Sequence, residues 1–188
     1  MSPPTEPTDK TPRILVAGVG NIFLGDDGFG VETARRLATQ LLPGHVEVVD
    51  IGVRGVHLAY QLLDGYDTLV LIDATARGGA PGTLYLIEAG PSGGTGGTQP
   101  PGAVLDGHRM TPDAVLALLD TLCAGTGATP PRRTVVVGCE PADVEEGIGL
   151  STPVARAVPD AVRLVLRILR DEEQEAPAPR AVAGPATS

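Results

Sequence analysis

Short apolar runs alternate with helical patterns along the middle of this chain. Five runs rich in aliphatic residues have the length of buried strands, which predicts strands over residues 13–18, 45–51, 68–73, 82–87 and 134–139. Between them, apolar residues recur three and four positions apart, which predicts helices over residues 28–42, 55–63, 111–123 and 152–170. Strands that alternate with helices are typical of a mostly parallel sheet covered on both faces. The pattern predicts the α/β class: a three-layer α/β/α sandwich around a twisted sheet of roughly five strands.

The helical patterns also predict which side chains face the core. The apolar stripe of the first helix runs to Leu41. The second helix places four residues on one face: Val56, Ala59, Tyr60 and Leu63. The third helix opens with Thr111 and Pro112, a pair that is typical of a helix N-terminus.

Three segments lack these patterns. Residues 1–12 and 171–188 are polar and Pro-rich, and we expect them to be flexible tails. Residues 89–102 consist of Gly, Ser, Thr and Pro with little else, which predicts a flexible surface loop. The remaining chain, residues 13–170, has the length of one domain with a sizeable core.

Composition and charge narrow the range of partners. Only 3% of the 188 residues are aromatic and none is Trp, so the core must be aliphatic. The net charge of -9 argues against a nucleic-acid or anionic-membrane partner, because both require patches of Lys and Arg. No apolar run reaches the ~20 residues of a membrane helix, and the first twelve residues do not resemble a signal peptide. These features predict a soluble cytoplasmic protein.

In a sheet of this kind the working residues lie in the loops beyond the carboxyl ends of the strands. The loop after the first strand contains Gly18 and Gly20, as in a dinucleotide fingerprint, but Phe23 occupies the third glycine position. Asp26 and Asp27 in the same loop would repel a pyrophosphate, because both are ionised at neutral pH. The loop therefore contains two acidic side chains that a phosphate site does not need.

Other candidates follow the next strands. Asp50 ends the second strand, where it suits either a ribose contact or a turn that bonds its own backbone. Asp73 ends the third strand; by itself it is more typical of a cap than of a metal ligand. His108 precedes the third helix and is a possible ligand or base, although most histidines are neither.

Taken together, Asp27, Asp73 and His108 offer two carboxylates and one imidazole, a donor set that suits Zn²⁺ or Ni²⁺ with one position left open. The sequence has no closely spaced pair of His or Cys ligands, so it does not indicate a permanent metal site. The two cysteines, Cys123 and Cys139, fall in predicted core positions, where inert thiols are expected.

The motifs occur in an order that resembles one known family, the hydrogenase maturation endopeptidases. The resemblance covers residues 13 to about 170. It is carried by Gly18-x-Gly20-Asn21-x-x-x-x-Asp26-Asp27-Gly28-x-Gly30, Asp50-x-Gly-x-x-Gly55-x-x-Leu58, Leu71-Ile72-Asp73-Ala74, Pro81-Gly82-Thr83, Gly138-Cys139-Glu140-Pro141 and Gly149-Leu150-Ser151-x-x-Val154.

This resemblance implies an α/β/α fold and an enzyme that cuts a C-terminal extension from the nickel-loaded large subunit of NiFe hydrogenases. It implies that Asp27, Asp73 and His108 bind the nickel, which the large-subunit precursor supplies. No tightly bound metal of the enzyme's own is then expected, although Zn or Cd could occupy the site. Asp50 aligns with a further acid of functional importance, and we count it among the candidate catalytic residues.

Two other classes of function stay open at this point. The first is a nucleotide-binding module, an interpretation that depends on Gly18, Gly20 and Asp50. A catalytically silent nickel-binding or chaperone-like relative of the endopeptidases would keep the same acids without cleaving a peptide bond.

Overall fold

One five-stranded sheet forms the centre of the molecule. The computed structural model describes residues 11–89 and 111–175, so most of the three segments predicted to be flexible lies outside the described residues. The strands are β1 (Ile14–Val19), β2 (Val46–Gly52), β3 (Thr68–Ala74), β4 (Leu84–Ala89) and β5 (Arg133–Cys139). Their order is β2-β1-β3-β5-β4; β4 runs antiparallel to β5, and the other neighbours are parallel.

Helices cover both faces of this sheet. They are α1 (Phe29–Leu37), α2 (Gly55–Leu62), α3 (Pro112–Thr126) and α4 (Thr152–Glu175). On one face, α1 and α4 bury aliphatic side chains against β1, β3 and β5; on the other, α2 and α3 do the same. This arrangement confirms the predicted α/β/α sandwich. Among the described helices, none combines the length and the apolar character needed to cross a membrane.

The first helix is shorter than its apolar pattern predicted. It ends at Leu37, and Leu41, which was expected on its buried stripe, is fully exposed. After Leu37 the backbone closes in tight turns, with Gln40 N donating to the Leu37 carbonyl at 2.9 Å. Pro43 disfavours helical backbone in the residue before it, so the helix could not have run to residue 42.

The buried face of α2 is also displaced from the predicted one. Val56 and Tyr60 are 46% and 56% exposed, whereas Leu58 and Leu62 are fully buried. A helix of eight residues with apolar side chains on two neighbouring stripes offers two possible faces. Packing against the sheet selects between them, and periodicity alone does not.

The last helix extends beyond its predicted end at Arg170 and reaches Glu175. Glu172 explains the extension, because its carboxylate lies at the edge of the sheet and accepts a 2.7 Å hydrogen bond from Thr68 Oγ1. It also forms an ion pair with Arg133 on β5. The first residues of the expected C-terminal tail are thus part of the folded domain.

The start of α1 lies unusually close to the sheet at two glycines. A Cβ on Gly18 would overlap the carbonyl oxygen of Gly30, and a Cβ on Gly30 would overlap the carbonyl oxygens of Ile72 and Val19. Only glycine allows backbones to approach in this way. The approach fixes where the chain leaves β1 and enters α1, and so fixes the loop between them.

We expect Gly30→Ala to lower the free energy of unfolding by about 2 kcal/mol. Overpacking against rigid backbone costs up to about 3 kcal/mol, which outweighs the gain of about 1 kcal/mol that alanine brings to a helix. Denaturant unfolding measures the change. Gly44→Ala is the matched control, because Gly44 has no neighbour within 4 Å of an added Cβ. Equal stability of the two variants would contradict the close approach.

Candidate active site

A cleft of about 230 Å³ opens at the carboxyl ends of β1 and β3. Two carboxylates line it: Asp27, from the loop after β1, and Asp73, near the end of β3. The remaining wall is formed by Val19, Gly20, Leu24, Gly52, Val53, Ala74, Thr111 and Val144. Two of the three acids predicted to have a catalytic role, Asp27 and Asp73, therefore share one site.

Asp27 belongs to a short 3₁₀ turn, Gly25–Gly28, that precedes α1. Its Oδ2 accepts a 2.7 Å hydrogen bond from the backbone N–H of Asn21. That N–H is one of the loop amides that a phosphate would need, and here an acidic side chain uses it. The loop geometry therefore argues against the nucleotide-binding alternative.

Asp73 lies deep in the cleft, and its surroundings disfavour ionisation. Burial raises its pKa and the neighbouring charge of Asp27 raises it further, whereas a hydrogen bond from the Ala74 N–H lowers it; the net pKa is about 7. Two carboxylates in such a position are well placed to share a cation, which would relieve their repulsion. Among residues 11–89 and 111–175, no group of three His, Cys, Asp or Glu side chains converges on a metal position.

The third predicted ligand, His108, lies outside the described residues. Thr111, three positions further along the chain, is part of the cleft wall and accepts a hydrogen bond from Ala114 N at the start of α3, as predicted for a helix cap. Thr111, the first described residue after His108, therefore lies at the cleft.

Asp50 lies beside the cleft and does not line it. It belongs to β2, and its carboxylate forms an ion pair with Arg35 on α1 at 2.9 Å. It faces a separate, open groove of about 720 Å³ that also includes Arg54 and Tyr60. Its predicted importance for catalysis stays a prediction.

Asp26, next to Asp27, has a role that the sequence did not reveal. It is 1% exposed, and its carboxylate accepts hydrogen bonds from the backbone N–H groups of Ala142, Asp143 and Ser151 and from Ser151 Oγ. Burial raises the pKa of Asp26, but these hydrogen bonds outweigh it and hold the pKa below its usual value. Asp26 thus ties the loop after β1 to residues 142–151, the segment after β5.

Glu140 does the same for the loop after β3. It is 6% exposed and accepts hydrogen bonds from Arg77 N at 2.7 Å, Gly78 N at 3.1 Å and the Tyr85 hydroxyl at 2.8 Å. The hydrogen bonds from the backbone, the strongest of them from Arg77, lower the pKa of Glu140. An acid directly after a buried strand was the available signal for this role, but it did not identify the partners.

The two cysteines occupy core positions, as predicted. Cys123 is 7% exposed and Cys139 is fully buried, and both thiols are free. Burial, together with the nearby charges of Asp26 and Glu140, raises the pKa of Cys139 to about 12. A thiol in this state is a poor nucleophile.

We expect Asp26→Asn to lower the free energy of unfolding by about 3 kcal/mol. The NH₂ group of the asparagine is a donor, and it would face the buried donors that the carboxylate now accepts from. The Asp26 contribution is present above pH 3.8 and is lost as the pH falls through its lowered folded-state pKa. Denaturant unfolding from pH 2.5 to 7 measures both effects. Asp27→Asn is the matched control, since that carboxylate accepts one backbone hydrogen bond. A loss no larger than that of the control would contradict the role of Asp26.

In the metal-free protein, the Asp73 carboxyl should titrate near pH 7, and Asp27→Asn should lower that pKa by removing the neighbouring charge. The raised pKa contributes to the free energy of unfolding. This contribution is fully present below pH 3.8 and is lost as the pH rises through 7. Carboxyl ¹³C NMR measures the titration, with the exposed Asp64→Asn as control. A wild-type value near 4 would show that the Asp73 carboxyl is neither buried nor close to the charge of Asp27.

Comparisons with known proteins identify the family. A sequence model of the hydrogenase maturation protease family matches residues 31–91. The Hydrogenase 2 maturation protease of Escherichia coli K12 is 34% identical over 170 residues, which cover 87% of this chain and 94% of that protein. The hydrogenase expression/formation protein HupD of Rhizobium leguminosarum is 32% identical over 161 residues, covering 85% of this chain and 75% of HupD.

Solved structures show the same relationship. The hydrogenase maturating endopeptidase HybD from E. coli superposes with a TM-score of 0.66 at 32% identity, over 85% of this chain and 93% of HybD. The hydrogenase 2 maturation peptidase from a Thaumarchaeota archaeon superposes with a TM-score of 0.63 at 30% identity, over 84% of this chain and 98% of that one. The chain therefore belongs to the hydrogenase maturation proteases, a family of enzymes that hydrolyse peptide bonds.

Proposed function

We propose that this chain removes the C-terminal extension of a nickel-loaded NiFe-hydrogenase large-subunit precursor, and that Asp27, Asp73 and His108 recognise the bound nickel. The observation that carries the proposal is the pairing of Asp27 and Asp73 in one cleft at the carboxyl edge of the sheet. The similarity to proteins named as hydrogenase maturation proteases supports the choice of a hydrogenase precursor as the client. The two free, buried thiols suit a reducing cytoplasm, where we place the reaction.

The donor set supports nickel as the recognised ion. Two carboxylate oxygens and an imidazole nitrogen suit a borderline divalent ion, and Zn or Cd could occupy the same position. The two carboxylates of the cleft attract a cation, and the charge of the cation would favour the ionised form of Asp73. A site with three ligands from the enzyme leaves the remaining positions to the client.

The nickel of the client would supply Lewis-acid chemistry to the reaction. The work of this chain is to hold the client's metal centre against the cleft, so that the C-terminal peptide bond stays close to it. Asp27 is held in place by its hydrogen bond to Asn21, and Asp73 by its position on β3. Because the ion comes with the client, only a loaded client completes the site.

Purified wild-type protein should shorten a nickel-loaded precursor from the same genome by a C-terminal peptide and leave the nickel-free precursor intact. Mass spectrometry of the products measures this difference. Losing an outer partner of a metal site costs up to about 100-fold, and a direct ligand should matter more. We therefore expect Asp27→Ala, Asp73→Ala and His108→Ala each to lower kcat/KM by more than about 100-fold.

Two exposed positions outside the cleft give the matched controls: His57→Ala for the histidine and Asp64→Ala for the acids. Both controls should cleave at the wild-type rate. Equal cleavage of loaded and nickel-free precursor would keep the peptidase and reject recognition through nickel. Nickel-dependent binding of the precursor without cleavage would identify the chain as the silent nickel-binding relative.

A further inference from the structure

Four large apolar side chains in the loops at the cleft are exposed to solvent. They are Phe23, Val53, Val144 and Ile148, with exposed fractions of 61%, 42%, 44% and 84%. We refer to these four residues as the apolar collar. Phe23 follows β1, Val53 follows β2, and Val144 and Ile148 follow β5, so the collar draws on three separate loops.

The loops of the collar are connected to one another and to the cleft. Gly147 N donates to the Phe23 carbonyl at 2.9 Å, and Gly25 N donates to the Gly147 carbonyl at 2.9 Å. These contacts place Phe23 beside Ile148. Val53 and Val144 themselves line the cleft together with Asp27 and Asp73. The collar is therefore continuous with the proposed nickel-recognition site.

The collar is also held in place before anything binds. Residues 142–151 are anchored by the buried Asp26 carboxylate, which accepts hydrogen bonds from Ala142, Asp143 and Ser151. Hydrogen bonds to the backbone fix this loop and leave its apolar side chains in solvent. Ordering a surface loop on association is costly, and an anchored loop avoids much of that cost.

We propose that the apolar collar is the surface on which the folded large-subunit precursor docks around its nickel site. Apolar side chains gathered at one place on a surface mark a protein–protein contact, and here they border the site that must reach the client's metal. Asp143, Glu145 and Glu146 are exposed on the same loop. The matching surface of the precursor is thus an apolar patch flanked by Lys or Arg side chains.

This inference rests on the proposed function, and it adds a separate determinant of affinity. The acids recognise the nickel, whereas the collar recognises the protein that carries it. Collar substitutions should therefore weaken association and raise KM, with kcat unchanged. Because a few central side chains dominate most interfaces, we expect the effect of two substitutions to be at least about tenfold.

The test compares Phe23→Ser/Ile148→Ser with Leu41→Ser. Leu41 is more exposed than any collar residue and lies near the start of β2, at the opposite end of the sheet. Biolayer interferometry with the nickel-free precursor measures the dissociation constant without turnover, and cleavage of the loaded precursor gives kcat and KM. Thermal unfolding checks that each variant is folded. We expect at least about tenfold weaker binding and higher KM for the double variant, and wild-type values for the control.

Each other result has a distinct meaning. Unchanged binding by the double variant, an equal loss in the control, or no binding of either the nickel-free or the nickel-loaded precursor to wild-type protein overturns the docking proposal. Collar-dependent binding without any cleavage supports the collar and rejects the proposed peptidase reaction. Analytical ultracentrifugation tests whether the collar instead binds a second copy of the chain. A wild-type dimer that Phe23→Ser/Ile148→Ser converts to a monomer would show this and overturn the proposal.

Discussion

The close approach of β1, β3 and α1 at two glycines is the constraint on which the site depends. Gly18 and Gly30 let backbone lie against backbone, with no room for a Cβ at either position. The chain must therefore leave β1 at Val19 and begin α1 at Phe29 within a fixed space. Asp27 is placed by that turn, and Asp73 by the strand next to it. The helix is thus positioned by its fit to the sheet, and the acidic cleft follows from that fit.

Two adjacent aspartates show how strongly surroundings decide the role of a carboxylate. Asp26 is buried among four hydrogen-bond donors, and these donors stabilise its charge and lower its pKa. Asp27 accepts one backbone hydrogen bond and otherwise faces the cleft, where its charge raises the pKa of Asp73. One acid thereby holds two loops together, and the other contributes charge to the site. The two acids have different roles because the side chains of neighbouring residues in a tight turn point to different sides.

The sequence was sufficient for the layers of the fold and for placing Asp27 and Asp73 at the same edge of the sheet. Buried strands and amphipathic helices leave periodic patterns, and acids after strands must meet at the carboxyl edge of a parallel sheet. It was insufficient where the deciding partner is remote. Asp26 is bonded to Ser151, 125 positions away, and Glu172 to Thr68, 104 positions away. The end of α4 and the role of Asp26 depend on those contacts. Leu41 was misassigned because the helix ends at Leu37, although the apolar spacing continues beyond it.

Buried carboxylates, rather than apolar packing, hold the loops around the cleft. Asp26 fixes the segment after β5, and Glu140 fixes the loop after β3, each by accepting hydrogen bonds from backbone N–H groups. A loop stabilised through its backbone does not have to bury its own side chains. Residues 142–149 are accordingly exposed throughout, and their apolar members remain available at the mouth of the cleft. The same device therefore makes the site rigid and leaves its rim free for contact with another protein.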